Sequence, residues 1–207
     1  MDKNIKAKTR DLKIARLYED NFSASVIARK LSLSLRQVYR SLINQKVKRR
    51  NPQEQSKISF ANKPLSFTYR VPKSQTLKFL EVAGLMLYYG EGAKTGSTVD
   101  FANSDPRALK IFLAYLRKVC FVDESRIRLY LYCFSNMSTA RLIRFWSKEL
   151  KVKQRAFTLP YVRKAMSNNR DRVRVMKYGV LHIRYSDKKL LGKILADIDQ
   201  NAKKLIK

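Results

Sequence analysis

The sequence predicts an α+β protein: a small helical domain, then a larger domain whose helices pack on one face of a mixed or antiparallel sheet. Three observations predict it. The first 46 residues hold three short segments with the apolar spacing of helices. A polar stretch punctuated by Pro52, Pro64 and Pro72 follows. Beyond it, segments of strict apolar alternation interleave with amphipathic helical ones. The expected boundaries are 1–46 for the first domain, 47–74 for a basic, proline-containing linker, and 75–207 for the second domain.

Charge sets the expected partner. Among 207 residues, 45 Lys+Arg stand against 16 Asp+Glu, a formal charge of +29. The excess is shared, with +9 on residues 1–56 and +20 on residues 57–207. Such a balance implies a polyanionic partner, most simply nucleic acid. The longest charge-free apolar run, Val82 to Gly90, is far short of the roughly 20 residues of a membrane span. The charged start, Met1-Asp2-Lys3-Asn4, shows no secretory signal, so a cytoplasmic protein held at the nucleoid through DNA is expected. Cys120 and Cys133 have no metal or redox spacing and are expected as reduced, partly buried thiols. A single histidine, His182, removes most zinc sites and most histidine-based triads. His182 itself reads as a packing or solvent-facing residue.

In the first domain, residues 8–20 set Leu12, Ile14, Leu17 and Tyr18 near one helical face. Residues 24–31 turn Ile27, Ala28 and Leu31 inward. Ser32-Leu33-Ser34 is long enough only for a turn. Ser34 and Gln37 then form a capping box that starts a third helix. That helix is expected to bury Leu35, Val38 and Leu42 and to expose Arg36, Gln37, Arg40 and Asn44.

The spacing of Ile27, Ala28, Leu31, Leu33 and Val38 resembles a helix-turn-helix of the resolvase or sigma-factor type. Ala28 stands where the two helices of that motif cross. Ser32 replaces the usual glycine, and Leu42 falls one residue late. The resemblance implies double-stranded DNA as partner, with the third helix in the major groove. Ser34, Arg36, Gln37, Arg40 and Asn44 are then the expected DNA contacts, arginine suiting guanine and glutamine adenine. The basic run Lys46-Val47-Lys48-Arg49-Arg50 either follows a phosphate backbone or is a solvated helix end.

Ser74 caps a helix over residues 75–90. Leu77, Phe79, Leu80, Val82, Ala83, Leu85, Met86 and Leu87 make it apolar nearly all round, so burial on several sides is expected. It ends Tyr88-Tyr89-Gly90-Glu91-Gly92, whose glycines would permit a left-handed turn and close backbone approach. A carboxylate at a helix C-terminus opposes the helix dipole, a cost that suggests a cation nearby.

The segment Leu87 to Gly92 resembles the ending of the LAGLIDADG motif of homing endonucleases. The resemblance implies that Gly90 packs closely against a paired helix and that Glu91 is a catalytic acid and ligand of Mg²⁺. One motif per chain supplies one acid, so it also implies a homodimer through the 75–90 helix. Lys94, three residues on, is a second catalytic candidate that would approach the scissile phosphate. Met86 and Tyr89 depart from the family pattern. An alternative register, with Ala83-Gly84-Leu85 over the motif's A-G-L, leaves Tyr89 at the acid position and implies a fold without catalysis. Two functions therefore stay open: a divalent-metal-dependent DNA endonuclease, and a non-catalytic transcription regulator of the same fold.

Downstream, a strand is expected at 98–103 with Asp100 on its polar side, a candidate second acid. A helix through 119 follows Asp105-Pro106, with Leu109, Phe112, Leu113 and Leu116 inward. The strand 126–134 alternates Arg126, Arg128, Tyr130 and Tyr132 with Ile127, Leu129, Leu131 and Cys133. A helix at 139–150 brings Trp146 to the core, and strands are expected near 153–162, 172–177 and 180–186. The last helix, 188–206, turns Leu191, Ile194, Leu195 and Ile198 inward. Arg126, Arg128, Tyr130, Arg155, Arg172, Arg174 and Arg184 would line a DNA-facing sheet surface. Arginine rather than lysine suits planar, bidentate contacts to phosphate or guanine. An RNA partner fits less well, because a helix-turn-helix suits the B-form major groove.

Overall fold

The computed structural model describes residues 3–165 and 176–206. Arg172, Arg174 and most of the strand expected near 172–177 lie outside the described residues. The chain forms an α+β structure of two compact units, Met1–Pro64 and Leu65–Lys207.

The first unit holds α1 (Lys3–Glu19), α2 (Ala24–Leu31), α3 (Leu35–Asn44) and α4 (Pro52–Asn62). Ile14, Tyr18, Ala24, Ile27, Ala28, Val38 and Leu42 close its core. Ser23 caps α2 by accepting from the Val26 N–H. Ser32 ends α2 in the left-handed region, φ 53° and ψ 44°, and its N–H reaches the Ala28 and Arg29 carbonyls. Ser34 then starts α3 with a complete capping box. Two residues depart from the expected apolar faces. Leu12 is 55% exposed and Leu35 47% exposed. The inward ridge of α3 is Val38, Ser41 and Leu42, which leaves Leu35 beyond the edge of the core, beside Tyr39 and Arg49.

Residues 47–74 are not one extended linker; they divide between the two units, and α4 occupies 52–62. Asn51 caps α4 with a capping box to Glu54, and Pro52 opens it, both local signals of a helix start. No residue of α4 is buried, so it shows no apolar period to read. Arg50 fastens its start: the guanidinium donates to the Phe22 and Tyr18 carbonyls and lies 4.1 Å from the Tyr18 ring.

The second unit runs α5 (Gln75–Glu91), β1 (Val99–Asn103), α6 (Pro106–Lys118), β2 (Arg128–Phe134), α7 (Thr139–Leu150), β3 (Tyr161–Arg163), β4 (Val180–Tyr185) and α8 (Lys188–Leu205). The sheet order is β1-β4-β2-β3. β4 pairs antiparallel with β1 and β2, and β3 pairs parallel with β2. Val99, Phe101, Leu129, Leu131, Cys133, Leu181, Ile183 and Tyr185 form one wholly buried face against the helices. The opposite residues stay open, as strand alternation requires.

The 153–162 segment is not a strand throughout; it forms a 3-10 turn at Gln154–Ala156 and only the short edge strand β3. Arg126 likewise sits in a 3-10 turn, and β2 begins at Arg128. α5 is not buried all round. Gly84, Leu85 and Tyr88 are buried, whereas Phe79 is 76% exposed and Val82 and Tyr89 are also exposed. Within the chain, Gly84 is the closely packed glycine of α5: a Cβ there would lie 2.4 Å from the Tyr115 ring, while one at Gly90 meets nothing of the same chain within 4 Å. Among the described residues, no helix is long and apolar enough to cross a membrane.

Candidate nucleic-acid interface

The α3 surface is built by local rules. The capping box fixes where the helix begins, and the buried Val38–Leu42 ridge fixes which side faces out. Arg36, Gln37, Arg40 and Asn44 are exposed, as is Ile43. Among the described residues, the Arg36 and Arg40 side chains make neither hydrogen bonds nor ion pairs, their backbones being part of the α3 helix. Gln37 differs. Its Oε1 accepts from the Ser34 N–H at 2.8 Å and the Ser34 hydroxyl at 3.1 Å. Bidentate adenine readout needs both Oε1 and Nε2, so Gln37 cannot serve it while the box is closed. Ser34 is engaged by the same box, its hydroxyl accepting from the Gln37 N–H. Leu35 and Tyr39 flank this surface beside Arg49, whose guanidinium lies 4.3 Å from the Tyr39 ring.

The open sheet face is built by strand register. Asp100 on β1, Arg184 on β4 and Arg128 on β2 share one row, and Ala102, His182 and Tyr130 the next. The Asp100 carboxylate holds two neighbours: His182 Nδ1 lies 2.8 Å from Oδ1, and Arg184 Nε donates to Oδ2 at 2.8 Å. Partial burial would raise the Asp100 pKa, but the hydrogen bonds and charges of His182 and Arg184 override it, and the carboxyl is held below its usual range. The Arg184 guanidinium also lies 4.4 Å from the Tyr130 ring, which meets His182 edge-on. Further along, Tyr132 stacks on Tyr161 at 5.4 Å across β2 and β3.

The other expected sheet contacts are differently placed. Arg128 is exposed but donates to the Ser125 and Ile127 carbonyls at 2.7 and 2.9 Å. Arg126 donates to the Ser186 carbonyl at 2.8 Å. Arg155 is exposed in its 3-10 turn, off the paired strands. Alternation showed which residues face outward. It could not show that Asp100 meets His182, because that contact joins residues 82 apart through the β1–β4 pairing.

At the end of α5, Glu91 and Lys94 are exposed. Gly92 has no left-handed backbone (φ −82°); a Cβ there would lie 2.4 Å from the Tyr88 ring, so close approach explains the glycine. Tyr88 ties the helix end to β1, donating to the Ala93 carbonyl at 2.6 Å and accepting from the Asp100 N–H. Burial pushes its hydroxyl up to about 12. Among the described residues, no group of three or more His, Cys, Asp or Glu side chains is placed to hold a metal ion. Glu91 can offer one carboxylate to a metal ion.

Cys120 and Cys133 are buried free thiols, and burial pushes Cys120 up to about 12. Trp146 is a core residue whose Nε1 donates to the Tyr178 carbonyl at 2.8 Å. No family model, curated protein or solved structure matches the chain.

Proposed function

We propose that the protein binds double-stranded DNA, with α2, the Ser32 turn and α3 as a helix-turn-helix and the second unit as a LAGLIDADG-like platform. The observation that carries the reading is α3 itself: a capped helix whose Val38 and Leu42 are wholly buried and whose Arg36 and Arg40 side chains, on the exposed surface, have no partner among the described residues. Arg36 and Arg40 present forked donors suited to guanine edges and phosphates. The charge of +29 gives both units the attraction for a backbone that such a helix needs. In this reading the protein is a regulator, and the sheet face supplies further contacts.

The test is duplex affinity against salt for the wild type and for Arg36→Ala with Arg40→Ala. The double variant is expected to weaken binding by about 1–3 kcal/mol for each base edge it no longer reads. Unchanged affinity sinks the assignment of α3.

A second reading, a Mg²⁺-dependent endonuclease, is favoured by the exposure of Glu91 at the end of α5. Mg²⁺ commonly takes one or two protein carboxylates and completes its shell with phosphates and water. A homodimer through α5 would bring a second Glu91, and exposed Phe79, Val82 and Tyr89 offer such a pair apolar surface. Incubation of a randomised duplex library with Mg²⁺, followed by sequencing of new ends, tests this reading. Defined ends that vanish in Glu91→Gln support it; equal ends in both proteins remove Glu91 from any catalytic role.

A further inference from the structure

The open sheet face is rich in hydrogen-bond donors and poor in acceptors. Arg128 and Arg184 can only donate. Asp100 is the one carboxylate in their row, and each of its oxygens is already engaged, Oδ1 by His182 and Oδ2 by Arg184. An ionised carboxylate only accepts, so the hydrogen in the His182 contact must lie on Nδ1. While the imidazole is neutral, that assigns the other nitrogen, Nε2, as an acceptor. Among the described residues Nε2 has no hydrogen-bond partner. The ring lies on the open face, with Leu181 and Ile183 buried on the other, and its side chain is 24% exposed.

We propose that His182 is a specificity-determining residue, presenting Nε2 to an exocyclic amine of adenine or cytosine in the major groove, with Asp100 as the residue that fixes this tautomer. The proposal rests on the reading of the sheet face as a duplex-DNA contact surface. Adenine N6 and cytosine N4 are the amine donors of that groove, whereas guanine and thymine present acceptors there. A neutral acceptor amid arginines therefore favours the amine-bearing pair of bases, whereas the arginines, as donors, favour the acceptor-bearing pair.

Asp100→Asn provides the test, because it inverts the assignment without removing the side chain. Arg184 Nε must donate, so it claims the single amide oxygen. The amide NH₂ then faces His182 Nδ1 and donates to it. The imidazole hydrogen moves to Nε2, which becomes a donor. Since His182 is the only histidine, ¹⁵N-histidine labelling of the full chain reports one imidazole. Long-range ¹H–¹⁵N correlation at alkaline pH should show hydrogen on Nδ1 in the wild type and on Nε2 in Asp100→Asn. Hydrogen on Nε2 in the wild type overturns the assignment.

The readout arm selects duplexes from a randomised library with wild type, Asp100→Asn and His182→Ala. The wild type should enrich adenine or cytosine at one position, by roughly 3- to 10-fold over guanine or thymine, as one hydrogen bond allows. Asp100→Asn should shift that position towards guanine or thymine, and His182→Ala should lose the preference. The same preference in all three overturns the base-reading role. If the wild type enriches nothing and shows no salt-dependent duplex binding, the DNA reading itself fails, whatever the tautomer.

Discussion

The α3 surface and the open sheet face carry the same side-chain chemistry in opposite states. The Arg36 and Arg40 side chains project from a helix without partners among the described residues, whereas Arg184, Arg128 and Arg126 are held by a carboxylate, an aromatic ring or carbonyl oxygens. A partner-free arginine must be ordered on binding, at up to about 1.5–2 kcal/mol of rotamer freedom. A held arginine has given up that freedom in folding and meets its ligand with fewer donors but fixed direction. The difference leaves the α3 arginines free to reach and holds the sheet arginines in fixed directions. It also explains why Asp100 belongs on a basic face: it offsets one positive charge and in return orients two side chains.

The sharpest division of that comparison sets Arg36→Ala with Arg40→Ala against Arg126→Ala with Arg128→Ala. The first pair should cost about 1–3 kcal/mol for each base edge left unread and change the preferred sequence. The second pair should act mainly through the backbone, lowering the salt slope by roughly 0.9 for each phosphate left unneutralised while leaving sequence preference in place. Anisotropy titrations over a range of salt, on one selected duplex and one scrambled duplex, measure both. If the sheet pair moves neither affinity nor slope, the sheet does not touch DNA.

A smaller effect tests whether the sheet face is held together as described. Asp100→Ala leaves the Arg184 and His182 donors without their acceptor, so the second unit should lose about 1–3 kcal/mol near neutral pH. The sign with pH follows from the depressed carboxyl. Its stabilisation is full above the ordinary value of 3.8 and disappears as pH falls through the lower folded value. Wild type and variant should therefore converge in strongly acid solution. Denaturant melts across that range check it, and a constant difference at all pH values would show that Asp100 acts only through packing.

What the sequence makes legible follows the same division. The α3 surface is legible because a capping box and a ridge of Val38 and Leu42 are relations within eight residues. The outward side of each strand is legible too, since alternation is local. Gln37 misleads because its residue type fits two readings at once, cap and base contact, and in the structure the cap holds its oxygen. α4 escapes a search for apolar periods because none of its residues is buried, although Asn51, Pro52 and Glu54 spell its start. α5 misleads in the opposite way: its apolar residues are real, but Phe79, Val82 and Tyr89 face outward. The Asp100–His182–Arg184 cluster is invisible in the sequence because it depends on β4 lying between β1 and β2, a pairing of distant segments.

The smallest effects concern how firmly the first unit holds α3 in place. Ser34→Ala removes the acceptor for the Gln37 N–H and should cost about 1 kcal/mol. The residue 34 backbone N–H still holds the Gln37 oxygen in that variant, so the base preference should stay as it is while stability falls. Ser32→Gly should act in the other direction. Ser32 holds φ 53° and ψ 44°, a left-handed conformation that costs an L-residue with a Cβ roughly 1–2 kcal/mol. Glycine avoids that cost but loses more backbone freedom on folding, which removes about 0.5–1 kcal/mol of the gain. A net stabilisation of roughly 0–1.5 kcal/mol remains, readable as a rise in the melting temperature of the first unit. The turn's N–H bonds to Ala28 and Arg29 need only the backbone, so they survive the change. Affinity for DNA should then stay level, because α3 keeps its cap and its arginines. A stabilised turn that weakened binding would mean that the Ser32 hydroxyl itself touches the duplex, moving one contact from the helix to the turn.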